Sequence, residues 1–412
     1  MDYSQEYFTI ESLESGNTIT LTIGAGVTTS DVAWIAWSKD KENWHQTTNL
    51  SGSTITTNVN ADANEKIYFK GSGANLANNY ETNGNQYRTT FSSTKNYSIS
   101  GNIMSLLYSD SFYDKTSVSG TYAFCGLFYQ STKLVDAQNF VIPIKTIDKL
   151  RTFVGTFRGC TSLVNTPKFA PESITAQHGC LRMFWDCSSL ISTNDLSKLS
   201  ILIGASACME MFRGCTSLVN VTELPATTLS SYCYSGMFRE CTSLAKAPVL
   251  PATTLASYCY QNMFYGCTSL TQAPNELPAT TLYEFCYDSM FQGCTSLKKA
   301  PILPSSTVPG HSYEEMFYGC TNLQEVTCLA TDISATNCVK NWLYNVSASG
   351  TFYKDASMSS FPSGASGIPT NWTVETANTF TYNGHYPDNI TLNGTSLSYL
   401  KVNGSQVWRK IN

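Results

Sequence analysis

Charge is scarce in this chain of 412 residues, in which Asp, Glu, Lys and Arg together make up 13%. That share is about half of what an ordinary globular protein carries. The net charge is −5 and no run of Lys and Arg occurs. We therefore expect no nucleic-acid partner, because phosphate binding needs concentrated positive charge. Neutral polar residues and 24 tyrosines favour a surface that binds through short-range contacts.

Long apolar runs are also missing. No stretch approaches the roughly 18 apolar residues that a membrane helix needs, so we expect no membrane insertion. The first ten residues, MDYSQEYFTI, contain neither the basic stretch nor the apolar core of a secretory signal. If the protein acts outside a cell, we expect another route of release, such as assembly into a virus particle that lysis sets free.

Motifs of catalysis and metal binding are absent from the sequence. It contains no GxSxG elbow, phosphate-binding loop, HExxH or CxxC, which are the patterns that place nucleophiles, phosphates and metal ligands. The four histidines, His45, His178, His311 and His385, are scattered. We therefore predict a protein that is not an enzyme and has no cofactor or metal.

What the sequence does contain is a repeat. The block MFxGCTSL recurs between about residues 120 and 345, and successive marker residues are 29, 27, 28, 26, 26, 27, 26 and 26 positions apart. The markers are Phe128, Phe157, Phe184, Phe212, Phe238, Phe264, Phe291, Phe317 and, in a degenerate last unit, Leu343. Units of this length cannot bury their own apolar face, so they are expected to stack and share one core.

Each unit divides into two halves. Within 226–241 apolar residues recur every four positions, which predicts one face of a helix, started by Thr227 or Thr228. The glycines Gly266, Gly293 and Gly319 are expected to end these helices in the left-handed conformation. The other half, CTSLxxAPxLP, is predicted to be a short extended segment, with Leu244, Ala247 and either Val249 or Leu250 pointing inward and prolines at its margin.

Thirteen of the fifteen cysteines fall into two columns of the repeat. One column follows the marker by three residues, and the other precedes it by four or five. The first holds Cys160, Cys187, Cys215, Cys241, Cys267, Cys294 and Cys320; the second holds Cys180, Cys208, Cys233, Cys259, Cys286 and Cys338. We interpret both as buried thiols that act as small apolar residues. Disulfides between neighbouring units are the alternative, because adjacent rungs lie near bonding distance.

The MFxGCTSL…LP…L…C blocks resemble the BspA-like leucine-rich repeats of surface proteins from gut and oral bacteria, some parasites and phages of gut bacteria. This resemblance covers a little over half of the chain. It implies an α/β solenoid of BspA-like leucine-rich repeats, for which we predict residues 99–370. The function does not follow from the repeat class, which specifies a scaffold and not a ligand.

Both flanks of the repeats read as β-structure. In residues 1–98 alternating stretches such as Thr18–Ile23 predict several short strands, typical of a small immunoglobulin-like β-sandwich. Residues 371–412 are predicted to form a short C-terminal β module, with hairpin turns at Asn393–Gly394 and Asn403–Gly404. The ending LKVNGSQVW resembles the C-terminal tails of many phage tail and virion-surface proteins.

Repeat stacks bind through columns of exposed side chains, with one residue from each unit. One candidate column lies two residues after each CTSL leucine and varies in chemistry from unit to unit. A second candidate group consists of tyrosines and arginines on the predicted helices, residue types that dominate contact energies. The first comprises Asn220, Lys246, Gln272, Lys299 and Glu325; the second comprises Tyr234, Tyr260, Tyr287, Tyr313, Arg213, Arg239, Tyr265 and Tyr318. The alternative for the tyrosines is packing between helices.

These features together predict an adhesin or receptor-binding protein on a phage virion, as part of a tail or fibre. Its partners would be a host cell-surface glycan or protein and other virion proteins, and it would lie on the virion surface. The alternatives are a BspA-like adhesin on a bacterial cell surface and a purely structural virion decoration protein. Homo-oligomers are compatible with each of these.

Overall fold

In a computed structural model the described residues are 2–24, 27, 32–47, 54–77, 88–358, 361–377, 391–392, 395–396, 399–402 and 405–409. Within them the only α-helix is α1 (Ser105–Tyr108), and two single turns of 3₁₀-helix lie at Tyr3–Gln5 and Ser109–Ser111. The molecule consists of strands and turns, and several separate sheets are present.

Two antiparallel sheets form the N-terminal region. The strands are β1 (Phe8–Ser12), β2 (Asn17–Ile23), β3 (Val32–Ser38), β4 (His45–Thr47), β5 (Ile55–Ala61), β6 (Lys66–Gly73), β7 (Thr89–Ser93) and β8 (Tyr97–Asn102). One sheet has the order β4-β3-β6-β1-β8, and the other has the order β5-β2-β7. The alternation predicted for β2 is present: Ile19, Leu21 and Ile23 are buried while the threonines between them are half-buried, as expected when one sheet face covers a core. The immunoglobulin-like type stays a prediction.

Strand β8 joins the N-terminal sheet to the repeats. Its second edge pairs in parallel with β9 (Leu134–Val141), the extended segment of the first repeat. The predicted division between residues 98 and 99 therefore falls inside a strand that bonds to both regions. Buried side chains from Phe8 to Trp372 belong to one continuous apolar cluster, so the first repeat is covered by the N-terminal sheet and not by solvent.

Nine units follow, and none contains the predicted helix. Each has instead what we call a turn run, which extends from six residues before the marker to two residues after it, as in 232–240. The α part of the α/β prediction is therefore wrong. The four-residue apolar period is real, but it arises from successive turns and not from helical geometry.

The hydrogen bonds of the turn run explain why no helix forms. In the unit around Phe238, alternate N–H groups bond back three residues, for example from Met237 to the carbonyl of Tyr234. The N–H groups between them cross to the next unit, as from Phe238 to the carbonyl of Met263 at 3.0 Å. In a helix every N–H would bond within its own turn. Here half of them hold neighbouring units together.

A left-handed residue closes every four-residue step. Positive φ occurs at three positions of each of the nine units, namely six and two residues before the marker and two residues after it. The predicted left-handed Gly266, Gly293 and Gly319 lie at the last position, with φ of 71°, 73° and 73°. No Val, Ile or Thr occupies any of these positions, because branching at Cβ makes the left-handed conformation costly.

The extended halves pair in parallel from unit to unit. Near the N-terminal end they form β10 (Thr146–Ile147), β11 (Ser173–Ile174) and β12 (Ile201–Leu202), and at the C-terminal end β13 (Glu325–Cys328), β14 (Thr351–Lys354) and β15 (Thr373–Thr376). In the central units the pairing is reduced to single bridges, such as Lys246 with Gln272. Proline has no N–H to donate, which keeps these segments short as predicted.

Two strand pairs occupy the C-terminal end. β16 (Thr391–Leu392) pairs antiparallel with β17 (Thr395–Ser396), and β18 (Tyr399–Val402) with β19 (Ser405–Arg409). The predicted turns at Asn393–Gly394 and Asn403–Gly404 lie outside the described residues. The predicted module 371–412 begins just before β15, which belongs to the parallel sheet of the last repeats.

Candidate functional site

The first predicted column lies on the surface of the extended segments. Asn220, Lys246, Gln272 and Lys299 are exposed, and Glu325 is half-buried. Parallel bridges place Lys246 beside Gln272 and Lys299 beside Glu325. The Nζ atom of Lys299 lies 2.7 Å from Oε1 of Glu325. Side chains from successive units therefore form one ladder, as the repeat register predicted.

The extended segment exposes this column because its inward positions are taken by small apolar residues. Leu244 is fully buried, Ala247 is 5% exposed and Leu250 is 1% exposed. Of the two alternatives for the third inward position, Leu250 is the one that the structure selects. Val249 is 67% exposed and lies on the same side as Lys246.

A groove runs along the ladder across three successive units. Its volume is about 520 Å³, and its walls include Lys246, Gln272 and Lys299 together with the exposed apolar side chains Val249 and Ile302. A second depression of about 290 Å³ shares Lys246 and Val249 and continues to Asn220. We call the two together the extended-face groove. The sequence did not indicate Val249 and Ile302 as lining residues, because a single apolar letter does not reveal which way its side chain points.

The second predicted group divides into buried and half-exposed residues. Tyr234, Tyr260, Tyr287 and Tyr313 are at most 1% exposed, so the prediction that they contact a partner is wrong. Their rings stack along the core, with centroids 5.7 Å apart between Tyr260 and Tyr287. The reason is their position four residues before the marker, where Phe124 fills the same interior place in the first unit.

The residues that follow the marker are half-exposed, and their contact with a partner stays a prediction. The guanidinium of Arg239 lies 4.3 Å from the ring centroid of Tyr265, and the rings of Tyr318 and Tyr344 are 5.1 Å apart. Arg213 is 5.0 Å from the ring centroid of Trp185. Cation–π contacts of this kind fix side chains that would otherwise be mobile. Trp185 belongs to the same column and was missed, although alignment of the units at their markers places it there.

The cysteines form ladders of thiols in the core. All fifteen are buried and unpaired. In the column after the marker each thiol donates to the carbonyl of the preceding unit's marker phenylalanine, as from Cys294 to Phe264 at 3.1 Å. Burial raises the pKa of Cys267 and of Cys320 to about 12. Thiols in this environment stay protonated and are poor nucleophiles.

The position of the thiols explains why cysteine suits this column. The carbonyl of Phe264 also accepts the N–H of Cys267 at 3.1 Å, so both lone pairs of the oxygen are used. A thiol fills the apolar site and still supplies a weak donor. Disulfides were the alternative for the two columns, and the structure has none.

Comparison with known families agrees with this repeat geometry. The family model described as BspA type Leucine rich repeat region matches residues 182–324 and 258–361, in six copies. Residues 182–361 of this chain are therefore a BspA-type leucine-rich-repeat region. No curated protein and no solved structure matches it. BspA-type repeats favour a surface or adhesion type of protein.

The described residues include no group of three or more His, Cys, Asp and Glu side chains that would hold a metal ion. Over that part of the chain there is also no helix of the length and hydrophobicity that crossing a bilayer requires. The extended-face groove is the candidate binding site that the described repeats offer.

Proposed function

We propose that this BspA-type protein is a non-enzymatic adhesin or receptor-binding protein that holds a surface glycan or protein of a bacterium in the extended-face groove. The repeats act as a solenoid, a rigid rod in which each unit adds one rung to the binding surface. The observation that carries the proposal is the groove itself. It is continuous over several units, and its walls change chemistry while the scaffold beneath stays constant.

The walls of the groove combine the two kinds of contact that recognition needs. Val249, 67% exposed, and Ile302, 37% exposed, offer apolar area whose burial favours binding at about 25 cal/mol per Å². Lys246 and Gln272 offer polar groups that fix the orientation of a ligand. In the described part of the chain no carboxylate pairs with Lys246, whereas Lys299 is paired with Glu325. Lys246 is therefore the cation that a ligand would meet first.

A binding role also agrees with the chemistry of the core. The thiols are buried and protonated, and the chain has few charged residues for acid–base work. We propose that the protein has no catalytic activity and requires no cofactor.

The biological setting that we favour is the surface of a phage virion, in a tail or fibre, with other virion proteins as neighbours. The resemblance of the C-terminal LKVNGSQVW to the tails of phage tail and virion-surface proteins supports this setting. An adhesin on a bacterial cell surface is the second candidate, and the BspA-type repeats favour it equally. A structural decoration protein is the third candidate.

The test is binding of the labelled protein to a panel of whole gut-bacterial cells. The groove variant Lys246→Glu with Val249→Ser is expected to bind at least tenfold more weakly, because it loses the unpaired cation and the most exposed apolar side chain. The matched control is Lys198→Glu with Ile203→Ser, which makes the same kinds of change at exposed positions outside the groove and should bind normally.

Three outcomes contradict parts of the proposal. Normal binding by the groove variant would exclude the groove as the site. Equal losses in both variants would point to a general surface effect. If the unaltered protein binds no cell type, the structural decoration role replaces adhesion. Treatment of the cells with protease or with periodate then separates a protein ligand from a glycan.

A further inference from the structure

Charge changes sign along one surface of the repeats. We call this surface the turn face; it is the solvent side of the nine turn runs, from 122–130 in unit 1 to 337–345 in unit 9. The turn run of unit 2, RTFVGTFRG, contains Arg151 and Arg158 and no acid. The turn run of unit 8, HSYEEMFYG, contains Glu314 and Glu315 and no Lys or Arg. Unit 7 adds Asp288, and Glu284 lies just before its run.

Five of the seven arginines of the chain lie in the turn runs of units 2 to 5, and the turn runs of units 6 to 9 contain none. Arg158 lies 3.9 Å from the ring centroid of Trp185, and Arg151 donates to the hydroxyl of Tyr122 at 2.9 Å. These contacts hold the guanidinium groups in place at the surface. Arginine held in this way is the cation best suited to pairing with carboxylates.

The middle of the turn face is electrically balanced within one chain. Glu210 accepts from Arg182 at 2.7 Å and from Arg213 at 2.7 Å. Arg239 lies 3.2 Å from Glu240. Asp186 of unit 3 lies near Arg158 and Arg213. The turn runs of units 2 to 5 together contain five arginines and three carboxylates, so an excess of two positive charges remains in this part of the turn face.

The acidic end is only partly compensated. Glu314 is paired with Lys340 at 2.7 Å and with His311. Among the described residues Glu284, Asp288 and Glu315 make no ion pair, and Glu284 is exposed. An excess of carboxylates therefore remains in units 7 and 8.

A stripe of half-exposed aromatic rings runs along the turn face from unit 5 to unit 8. Tyr232, Tyr258, Phe285 and His311 occupy the first left-handed position of units 5 to 8. Their ring centroids are 4.4 to 4.6 Å apart from unit to unit. Tyrosine and arginine together are the composition that protein interfaces concentrate.

We propose that two copies of this chain pair antiparallel through their turn faces, around a two-fold axis at unit 5. Such an axis places unit 2 of one copy against unit 8 of the other, and unit 3 against unit 7. Arg151 and Arg158 then face Glu315, and this happens twice, because a two-fold interface repeats every contact. Opposite charges across an interface select the partner and the register.

The regular spacing of the units lets this match extend over the whole face. Stacked marker rings of adjacent units are 5.1 to 5.9 Å apart from unit 1 to unit 6. Two copies of one ladder have the same rise, so their rungs stay in step when the copies run in opposite directions. A second copy of the chain therefore satisfies both the charges and the spacing.

The first measurement is sedimentation velocity of the unaltered full-length protein at low and at high salt. We expect a dimer at low salt that dissociates as salt rises, because exposed ion pairs are screened within about 8 Å at physiological ionic strength. A monomer at every concentration and salt tested would overturn the proposal without any variant. Unchanged dimerisation at high salt would also contradict it.

Charge reversal then tests the register. Arg158→Glu and Glu315→Lys are each expected to weaken self-association at least tenfold, since each variant places like charges together twice. A mixture of the two variants should restore dimers, because every reversed contact again joins opposite charges. The controls Lys198→Glu and Glu276→Lys, at exposed positions of the extended segments, should dimerise normally.

The mixture separates the proposal from loss of folding. Misfolded chains do not regain association when mixed, so failure to restore dimers while both variants keep the melting curve of the parent protein would refute the antiparallel register. If the chain is monomeric and instead binds a soluble polyglutamate in a salt-dependent manner that Arg158→Glu abolishes, the turn face serves an acidic partner other than a second copy.

Discussion

Removing a hydroxyl from the core should stabilise this protein. Tyr287 is 1% exposed, and its hydroxyl has no hydrogen-bond partner among the described residues. Its ring packs between Tyr260, 5.7 Å away, and Tyr313, 6.1 Å away. The substitution Tyr287→Phe keeps the ring and its stacking and removes only the unsatisfied oxygen.

The magnitude follows from two opposing effects. An unsatisfied buried polar group costs about 1–3 kcal/mol. The void left by one oxygen atom, on the order of 10 Å³, costs roughly 0.2 kcal/mol at about 24 cal/mol per Å³. The first effect is larger, so we expect the free energy of unfolding to rise by about 1–2 kcal/mol. Urea denaturation followed by circular dichroism measures this change.

The same substitution elsewhere should have the opposite sign. The hydroxyl of Tyr97 lies 2.6 Å from Oγ of Ser131, and both residues are buried. Tyr97→Phe breaks that bond and leaves the serine unsatisfied, which should lower the free energy of unfolding by about 1–3 kcal/mol. If both variants are destabilised to the same degree, the hydroxyl of Tyr287 has a partner and the reasoning is wrong.

Three further results are expected. Gly293→Val should lower the free energy of unfolding by about 1–2 kcal/mol, because φ is 73° at this position. Gly293→Asn should lower it less. Equal decreases of the two variants in urea denaturation would count against a backbone cause. Burial raises the thiol pKa of Cys267 and of Cys320 from 9.0 to about 12. Unfolded chains therefore lose these protons at a lower pH than the folded protein does, so stability should be full below pH 9 and fall as pH rises toward 12. Thermal melts that stay constant up to pH 11 would contradict this. The fifteen buried thiols should react with a thiol reagent only after unfolding, and rapid reaction of several thiols in the native protein would show that the core opens.

The repeat could be predicted because a recurring motif is a property of the sequence alone. Marker residues at regular steps, such as Phe238 and Phe264, require units that stack, and the inward positions Leu244 and Ala247 followed from their spacing. The surface position of Lys246 and Lys299 followed in the same way. The register of the units was therefore predictable without knowing the backbone path.

The helical half was wrong for a definite physical reason. Apolar residues at every fourth position are expected from a helix, and they are equally expected from four-residue turns that each end in a left-handed residue. The two differ in where the N–H groups bond, and that of Phe238 bonds to Met263 in the next unit. Bonds between units 26 residues apart leave no trace in a local pattern.

The tyrosines are a second case in which a local sequence pattern did not predict the environment of a side chain. Tyr234 and Tyr232 lie two residues apart in one turn run, yet the first is buried and the second is half-exposed. A two-residue step also separates side chains by about 200° on a helix, so a local period does not decide which of the two is buried. Only the path of the turn run sends one ring into the core.

The sequence by itself determined the repeat class, the register of the units and the exposed column of the extended-face groove, because each depends on residue type at a fixed interval. The tertiary structure alone decided which tyrosines are buried, that each thiol of Cys160 and its equivalents bonds the unit before it, and that basic and acidic rungs share one turn face. These features arise from contacts between units, and such contacts depend on the backbone path that the stacked chain adopts.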